Sequence, residues 1–240
     1  MKVFAVGTGC TWFERNNTSF ILDDEILFDT PNGSYKTIIK LIDLFKLKGI
    51  FISHFHSDHF VDLHIIATRF MRENHGRTEK LKVFGPKGTL DKLVEFNKAV
   101  ISAPDECDKD SLQKQIDFID VSNGDEFEFD GYKVKVYALD HGLAYSQGYT
   151  FEKDGKVVAF TADTRDCENL RNMLQKSDVA FVDVAAMEEA KSHIDVKTYE
   201  KLIKTFPNCK MYAVHTSDKT LEYAKKNNLN ALDDGDTIII

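Results

Sequence analysis

The stretch Ser53-His54-Phe55-His56-Ser57-Asp58-His59 constrains this chain more than any other. It follows the apolar run Ile50, Phe51 and Ile52, which reads as a short buried strand, and it precedes a helical pattern that begins near Leu63. At a strand end, His54 and His56 stand two residues apart, so their side chains point the same way and can share a metal. Asp58 and His59 then turn with the chain and can address a second metal. Imidazole and carboxylate donors without thiolate suit zinc, manganese or iron. Four residues do not fill two such sites, so the fold must deliver further donors to the same place.

Five histidines remain: His64, His75, His141, His193 and His215. His141 follows a strand pattern over Lys133–Ala138, His215 follows Met211–Val214, and Asp163 follows Val157–Phe160. Taken singly, each serves equally well as a surface or turn residue. Together they are polar residues closing apolar strands, the pattern of a site on one edge of a sheet. His64, on a helix, and His75, in a polar turn, are expected to have no role.

The rest of the chain alternates strands and helices without a Pro/Gly/Ser-rich linker. Strand patterns cover Val3–Val6, Ser19–Leu22, Glu25–Phe28 and Leu81–Phe84, then Ile116–Val121, Glu126–Phe129, Gly148–Phe151, Val179–Asp183 and Thr237–Ile240. Helical spacing covers Ile38 to Phe45, Leu63–Met71, Leu90–Val100, Glu168–Leu174, Val196–Thr205 and Thr220–Asn227. One α/β domain over residues 1–240, with two sheets covered by helices, is the expectation. At 240 residues, 42% apolar and 29% charged, the chain is neither disordered nor collagen-like.

Charge narrows the partners. Lys plus Arg number 31 against 39 Asp plus Glu, a net −8. Asp105 to Asp130 carries ten acidic residues against Lys109 and Lys114, also a net −8, so the remaining residues sum to zero. That segment reads as a solvated face. An acidic balance argues against non-specific coating of nucleic acid but leaves room for a small anion held by local positive charge. Cys10, Cys107, Cys167 and Cys209 form no Cys-x-x-Cys pair and read as reduced thiols. No apolar run approaches the roughly 20 residues of a membrane span, and the N-terminal run is too short for a signal peptide. A cytoplasmic protein without a membrane partner is the expectation.

The ordered series of motifs resembles the metallo-beta-lactamase superfamily, and within it the ribonuclease Z-like branch of phosphodiesterases. The resemblance runs from Gly7-Thr8-Gly9 and Asn17-Thr18-Ser19 through Phe28-Asp29-Thr30 and the histidine cluster to Val83-Phe84-Gly85-Pro86-Lys87-Gly88. It continues at Asp140-His141-Gly142, Thr161-Ala162-Asp163-Thr164-Arg165 and Val214-His215-Thr216-Ser217. It implies a four-layer αββα sandwich with two mixed sheets and two divalent ions at one edge. Zinc is the usual metal of the family, with manganese or iron in some members. Carried over by position, His54, His56 and His141 would bind one ion, Asp58, His59 and His215 the other, and Asp163 would bridge them. His56 stands where the iron-dependent redox members carry Glu, which points to hydrolysis.

The resemblance names Asp58 and His193 as catalytic candidates. His193, in Ala190-Lys191-Ser192-His193, matches a histidine that helps the leaving group depart. The Glu that supports it in the family has no match, because Val184 stands in that place beside Asp183. Asp140 or backbone carbonyls are expected to orient the ligating rings. The tRNA-gripping arm of bacterial ribonuclease Z has no counterpart between His141 and Asp163, which shifts the expectation from transfer RNA to a smaller phosphodiester or short nucleic acid. The expected reaction is attack on phosphorus by a hydroxide held between two metals, with His193 protonating the leaving oxygen. A lactone or thioester hydrolase, a non-catalytic metal-binding regulator, and assembly as a homodimer remain open.

Overall fold

The computed structural model describes residues 1–73, 76–101 and 108–240. Its first half runs β1 (Lys2–Gly7), β2 (Ser19–Leu22), β3 (Ile26–Phe28), α1 (Ser34–Leu41), β4 (Gly49–Phe51), α2 (Ser57–Phe60), α3 (Leu63–Arg72), β5 (Leu81–Gly85), α4 (Thr89–Val100), α5 (Lys109–Gln113) and β6 (Ile116–Asp120). The second half runs β7 (Glu126–Phe129), β8 (Tyr132–His141), β9 (Ala144–Lys153), β10 (Lys156–Phe160), α6 (Glu168–Lys176), β11 (Val179–Asp183), α7 (Val196–Thr205), β12 (Lys210–Val214), α8 (Asp218–Lys226) and β13 (Thr237–Ile239).

Two mixed sheets form, in the orders β13-β1-β2-β3-β4-β5-β6 and β12-β11-β10-β9-β8-β7. Strand alternation explains how they stack, because odd and even positions are both apolar and face different layers. Phe20, Leu22, Ile26, Phe28 and Phe51 meet Val134, Val136, Tyr149, Phe151, Phe160 and Phe181 between the sheets. Ile21, Leu27, Ile50 and Ile52 turn the other way, onto Ile38, Leu63, Ile66, Phe70 and Leu93 of the first helical layer. Ala159, Ala180, Val182, Met211 and Ala213 likewise meet Leu170, Met173, Leu174, Tyr199 and Leu202. The four-layer αββα sandwich expected from the sequence is present.

Strand direction positions the site. β3 to β6 run parallel, as do β10, β11 and β12, so many carboxyl ends emerge along one edge of the stack. At that edge Asp29, Ala162 and His215 have φ of 56°, 51° and 54°, a left-handed turn that non-glycine residues adopt only at a cost.

Several boundaries differ from expectation. The helix read from Ile38 to Phe45 stops at Leu41, because the Asp43 side chain accepts the Phe45 N–H at 3.1 Å and starts a separate 3₁₀ turn over Leu44–Lys46. β8 and β9 each have 10 residues, longer than the apolar runs suggested. Their ladder continues through Asp140↔Tyr145 and His141↔Ala144, so His141 is the last strand residue rather than one beyond it. The turns α2 and α5 are too short to show a helical period. From His141 to Asp163 the chain consists of the Gly142-Leu143 turn, β9, the Asp154-Gly155 turn, β10 and a two-residue connection, which leaves no inserted arm.

Of the acidic segment, Asp108, Asp110, Asp120, Asp125, Glu126, Glu128 and Asp130 are exposed, while Asp105 and Glu106 lie outside the described residues. Cys10, Cys167 and Cys209 are free thiols, and Cys107 and His75 lie outside the described residues. His64 sits on α3 and bonds through Nδ1 to Asn97 Oδ1 on α4 at 2.7 Å, a tie between helices. Among the described residues no helix is long and apolar enough to cross a membrane.

Candidate metal centre

Seven polar residues converge at the carboxyl edge. His54 follows β4, His141 ends β8, Asp163 follows β10, His215 follows β12, and Asp58 and His59 lie in α2. His56 caps the start of α2 and is the only exposed member; the other six are buried. Donor atoms of His54, His56, His141 and Asp163 all lie within 4.8 Å of one another, and so do those of Asp58, His59, Asp163 and His215. Asp163 belongs to both groups. A third grouping joins Asp163 with Asp183 and His193.

Hydrogen bonds fix which ring nitrogen faces inward. The His141 Nδ1–H donates to the Ser192 carbonyl at 2.9 Å, which leaves Nε2 with a lone pair toward the cluster. The His59 Nδ1–H donates to Asp29 Oδ2 at 2.7 Å, again freeing Nε2 inward. Ser53 Oγ donates its hydrogen to Asp29 Oδ2 at 2.7 Å, so it must accept from His54 Nδ1 at 2.9 Å. His54 Nε2 therefore also presents a lone pair. His56 Nδ1 lies 3.0 Å from His54 Nε2 and 3.3 Å from His141 Nε2. One proton on His56 satisfies only one of those lone pairs, whereas a cation satisfies all three.

The second group shows the same incompleteness. His59 Nε2 and Asp163 Oδ1 are buried, 3.1 Å apart, and have no hydrogen-bond partner; His215 Nδ1 is also buried without one. His215 Nε2 lies 3.4 Å from Asp163 Oδ2. Buried polar atoms in a native protein are normally satisfied, so the facing orphans His59 Nε2 and Asp163 Oδ1 fit a site built for cations.

Electrostatics agree. Burial, followed by the charge of His59, holds His54 well below the usual imidazole range. Burial and the neighbouring His141 also lower His56. Burial opposes charge on His59, yet the Asp163 and Asp29 carboxylates outweigh it and hold that ring well above the usual range. Burial would raise the Asp163 carboxyl, but His215, His59 and His54 hold it well below the usual carboxylate range. An ionised carboxylate beside the neutral rings of His54 and His56 suits a metal, and a cation at His59 would displace the proton that ring holds.

His193 has the carboxylate partner that the sequence reading did not find. Its Nδ1–H donates to Asp183 Oδ2 at 2.9 Å. Asp183, at the end of β11, is fixed by the Thr164 N–H at 3.0 Å and the Ala185 N–H at 3.1 Å. Val184 points into the apolar layer and has no part in this. Burial disfavours charge on His193, but the Asp183 carboxylate more than compensates and pushes the ring up to about 9. Asp140 also departs from expectation: it pairs with Arg165 at 2.7 Å instead of orienting an imidazole. Asp29, Ser53 and the Ser192 carbonyl do the orienting, and Thr11 Oγ1 donates to Asp58 Oδ2. The Ser192 carbonyl is the kind of backbone partner the sequence reading expected, and the Phe28-Asp29-Thr30 motif drew attention to Asp29.

Above the donors opens a cavity of about 1220 Å³, with His56, Asp58, His141, Asp163, His193 and His215 in its wall.

Known proteins share this fold. Residues 25–216 match the family model described as the beta-lactamase superfamily domain. A ribonuclease Z of Picrophilus torridus is 33% identical over 130 residues, covering 53% of this chain and 38% of that protein. The chain thus matches well under half of that relative's length. Among solved structures, the metallo-beta-lactamase fold protein YhfI from Bacillus subtilis superposes with a TM-score of 0.78 at 13% identity, covering 99% and 98% of the two chains. Human tRNase Z, short form, gives 0.73 at 18% identity, covering 100% and 99%. With its model match spanning most of the chain and its layers those of the metallo-beta-lactamase fold, this protein belongs to the beta-lactamase superfamily.

Proposed function

We propose that this protein is a dinuclear metal-dependent hydrolase of phosphodiesters. The observation that carries the reading is the pair of donor groups joined at Asp163, in which His54 Nε2 and His141 Nε2 compete for one proton on His56 while His59 Nε2 and Asp163 Oδ1 are buried without a hydrogen-bond partner. His54, His56, His141 and Asp163 would hold one ion; Asp58, His59, His215 and Asp163 would hold the other. Relatives named ribonuclease Z support a phosphodiester substrate. The uninterrupted hairpins between His141 and Asp163 favour a substrate smaller than transfer RNA. All-nitrogen-and-oxygen donors favour zinc, with manganese or iron also suited.

Divalent ions in such a donor set acidify water toward neutral pH and offer positive charge to phosphoryl oxygens. The chain's own residues do the rest. Asp29, Ser53 and the Ser192 carbonyl lock the rings of His59, His54 and His141, so their inward nitrogens are aligned before substrate arrives. Thr11 holds the Asp58 carboxylate in place. His193 keeps its Nδ1 proton on Asp183, which turns Nε2 toward the cavity. When the ring is charged, the Nε2 proton is available to a departing alkoxide, and the ring then returns to neutral.

The test is direct. Asp163→Ala or His56→Ala, supplied with zinc or manganese, should lose bis(p-nitrophenyl) phosphate hydrolysis and bind less metal by elemental analysis. Hydrolysis left intact in both variants would overturn the proposal. Faster turnover of lactones or thioesters than of phosphodiesters by the wild type would reassign the same donors to carbonyl chemistry.

A further inference from the structure

The chain's single tryptophan lies at the mouth of this cavity and is 88% exposed. An indole so open to water loses the free energy that burial normally gives it. Phe13 beside it is exposed too, and Leu143, at the tip of the β8–β9 turn, is fully exposed. All three line the same cavity as the metal-centre residues. Three large apolar side chains around one opening mark a binding surface.

Trp12 is not at the tip of an unsupported loop. Its base is clamped: the Gly9 N–H donates to the Asn16 carbonyl at 2.9 Å, the Asn16 N–H donates to Asp234 Oδ2 at 2.8 Å, and Arg15 donates to the Thr216 carbonyl. Thr11, the residue before Trp12, bonds to Asp58. The backbone on either side of Trp12 is therefore anchored close to the donors, with the indole itself left open to a ligand. The same cavity wall carries Lys191, which forms no ion pair among the described residues, and Arg165. Lys191 is exposed in that wall and Arg165 is paired with Asp140, so the metal donors and Lys191, with the apolar side chains around the opening, complement a ligand that has an anionic phosphate at one end and a planar ring at the other.

We propose that Trp12, with Phe13 and Leu143, is a stacking platform that selects phosphodiesters bearing a planar heteroaromatic group, a nucleobase being the fitting example. This rests on the phosphodiesterase reading and adds the chemistry of the organic arm. Stacking on an aromatic side chain tolerates any base, so the expected preference is for base over no base, with little distinction among bases.

Because Trp12 is the only tryptophan, intrinsic fluorescence reports on the platform alone. In metal-replete protein excited at the red edge, adenosine monophosphate should quench the emission and ribose phosphate should not. By calorimetry, Trp12→Ala should weaken adenosine monophosphate binding about 10-fold, the size of one base–aromatic stack, and leave ribose phosphate binding unchanged. Trp12→Phe should restore most of the loss. An exposed loop position makes folding of both variants straightforward to verify by circular dichroism. Equal affinity of wild type and Trp12→Ala for adenosine monophosphate would overturn the platform. So would a dimer that falls apart in Trp12→Ala with nucleotide affinity unchanged, since the rim would then serve self-association. If the wild type cleaves bis(p-nitrophenyl) phosphate while the base makes no difference, the platform alone fails. If it cleaves no phosphodiester, the underlying reading fails.

Discussion

Replacing Asp183 by Asn isolates the contribution of His193. The wild-type ring, pushed up to about 9 by Asp183 against the opposing effect of burial, is almost wholly protonated at pH 7.5. Without the carboxylate, burial remains and the ring falls to or below its ordinary value near ~6.5, where at most roughly a tenth is charged at that pH. If His193 delivers the leaving-group proton, kcat/KM for an alkyl phosphodiester should drop at least about 10-fold at pH 7.5, or about 1.4 kcal/mol of transition-state stabilisation. The sign follows from the raised pKa. Protonated His193 is present below its pKa and lost above it, so the basic limb of the profile should move to lower pH in Asp183→Asn. Cations at the adjacent donors lower the limb in both proteins, and the separation between the two limbs is the quantity to read. A p-nitrophenyl ester, whose leaving group departs as a stable anion, should be affected far less. Equal losses on both substrates with the limb unmoved would refute the argument and assign Asp183 to structure alone.

Three other outcomes follow from the same geometry. Removal of bound metal by a chelator should lower the Tm, since each site filled at ~100 times its Kd contributes about 2.7 kcal/mol; an unchanged Tm by differential scanning fluorimetry would count against metal-filled sites. Gly148→Ala should cost about 1–3 kcal/mol in urea unfolding, because its Cβ would meet the Phe160 carbonyl oxygen at 2.7 Å and Leu139 Cδ1 at 2.9 Å inside the sandwich. Burial pushes the Cys209 thiol up from 9.0 to about 12. Below the pKa the thiolate fraction falls tenfold per pH unit, so at pH 8 alkylation of Cys209 should be about 1000-fold slower than that of an ordinary thiol, with the rate still rising past pH 10; labelling as fast as that of half-exposed Cys167 would contradict this.

The donors were legible because each carries a signal of its own. His54, His56, Asp58 and His59 are crowded within six residues, and Asp163 and His215 end apolar runs just as strand exits should. The residues that orient them carry no such mark. Asp29 reads as a turn acid after β3, and only the fold shows it buried between Ser53 and His59. Asp183 reads as the polar end of β11, and its pairing with His193 depends on how the nine residues between them fold back. The length of β8 and β9 was hidden for a related reason. Asp140, His141, Ser146 and Gln147 interrupt the apolar pattern with polar side chains, while the backbone ladder continues beneath them. A period-two reading sees packing, and where packing gives way to chemistry it stops early.

The division between fixed and exposed parts of the site has an evolutionary reading. The donors stand at strand ends or in α2, whereas the opening is lined by Thr11, Trp12, Phe13 and the Gly142-Leu143 turn. Thr11 is the one rim residue that touches a donor. Apart from that residue, the rim can vary in length and composition without disturbing the reacting atoms. Such a plan lets one inherited reaction centre be refitted to new substrates by changes in two short surface segments, with the costly interior left as it is.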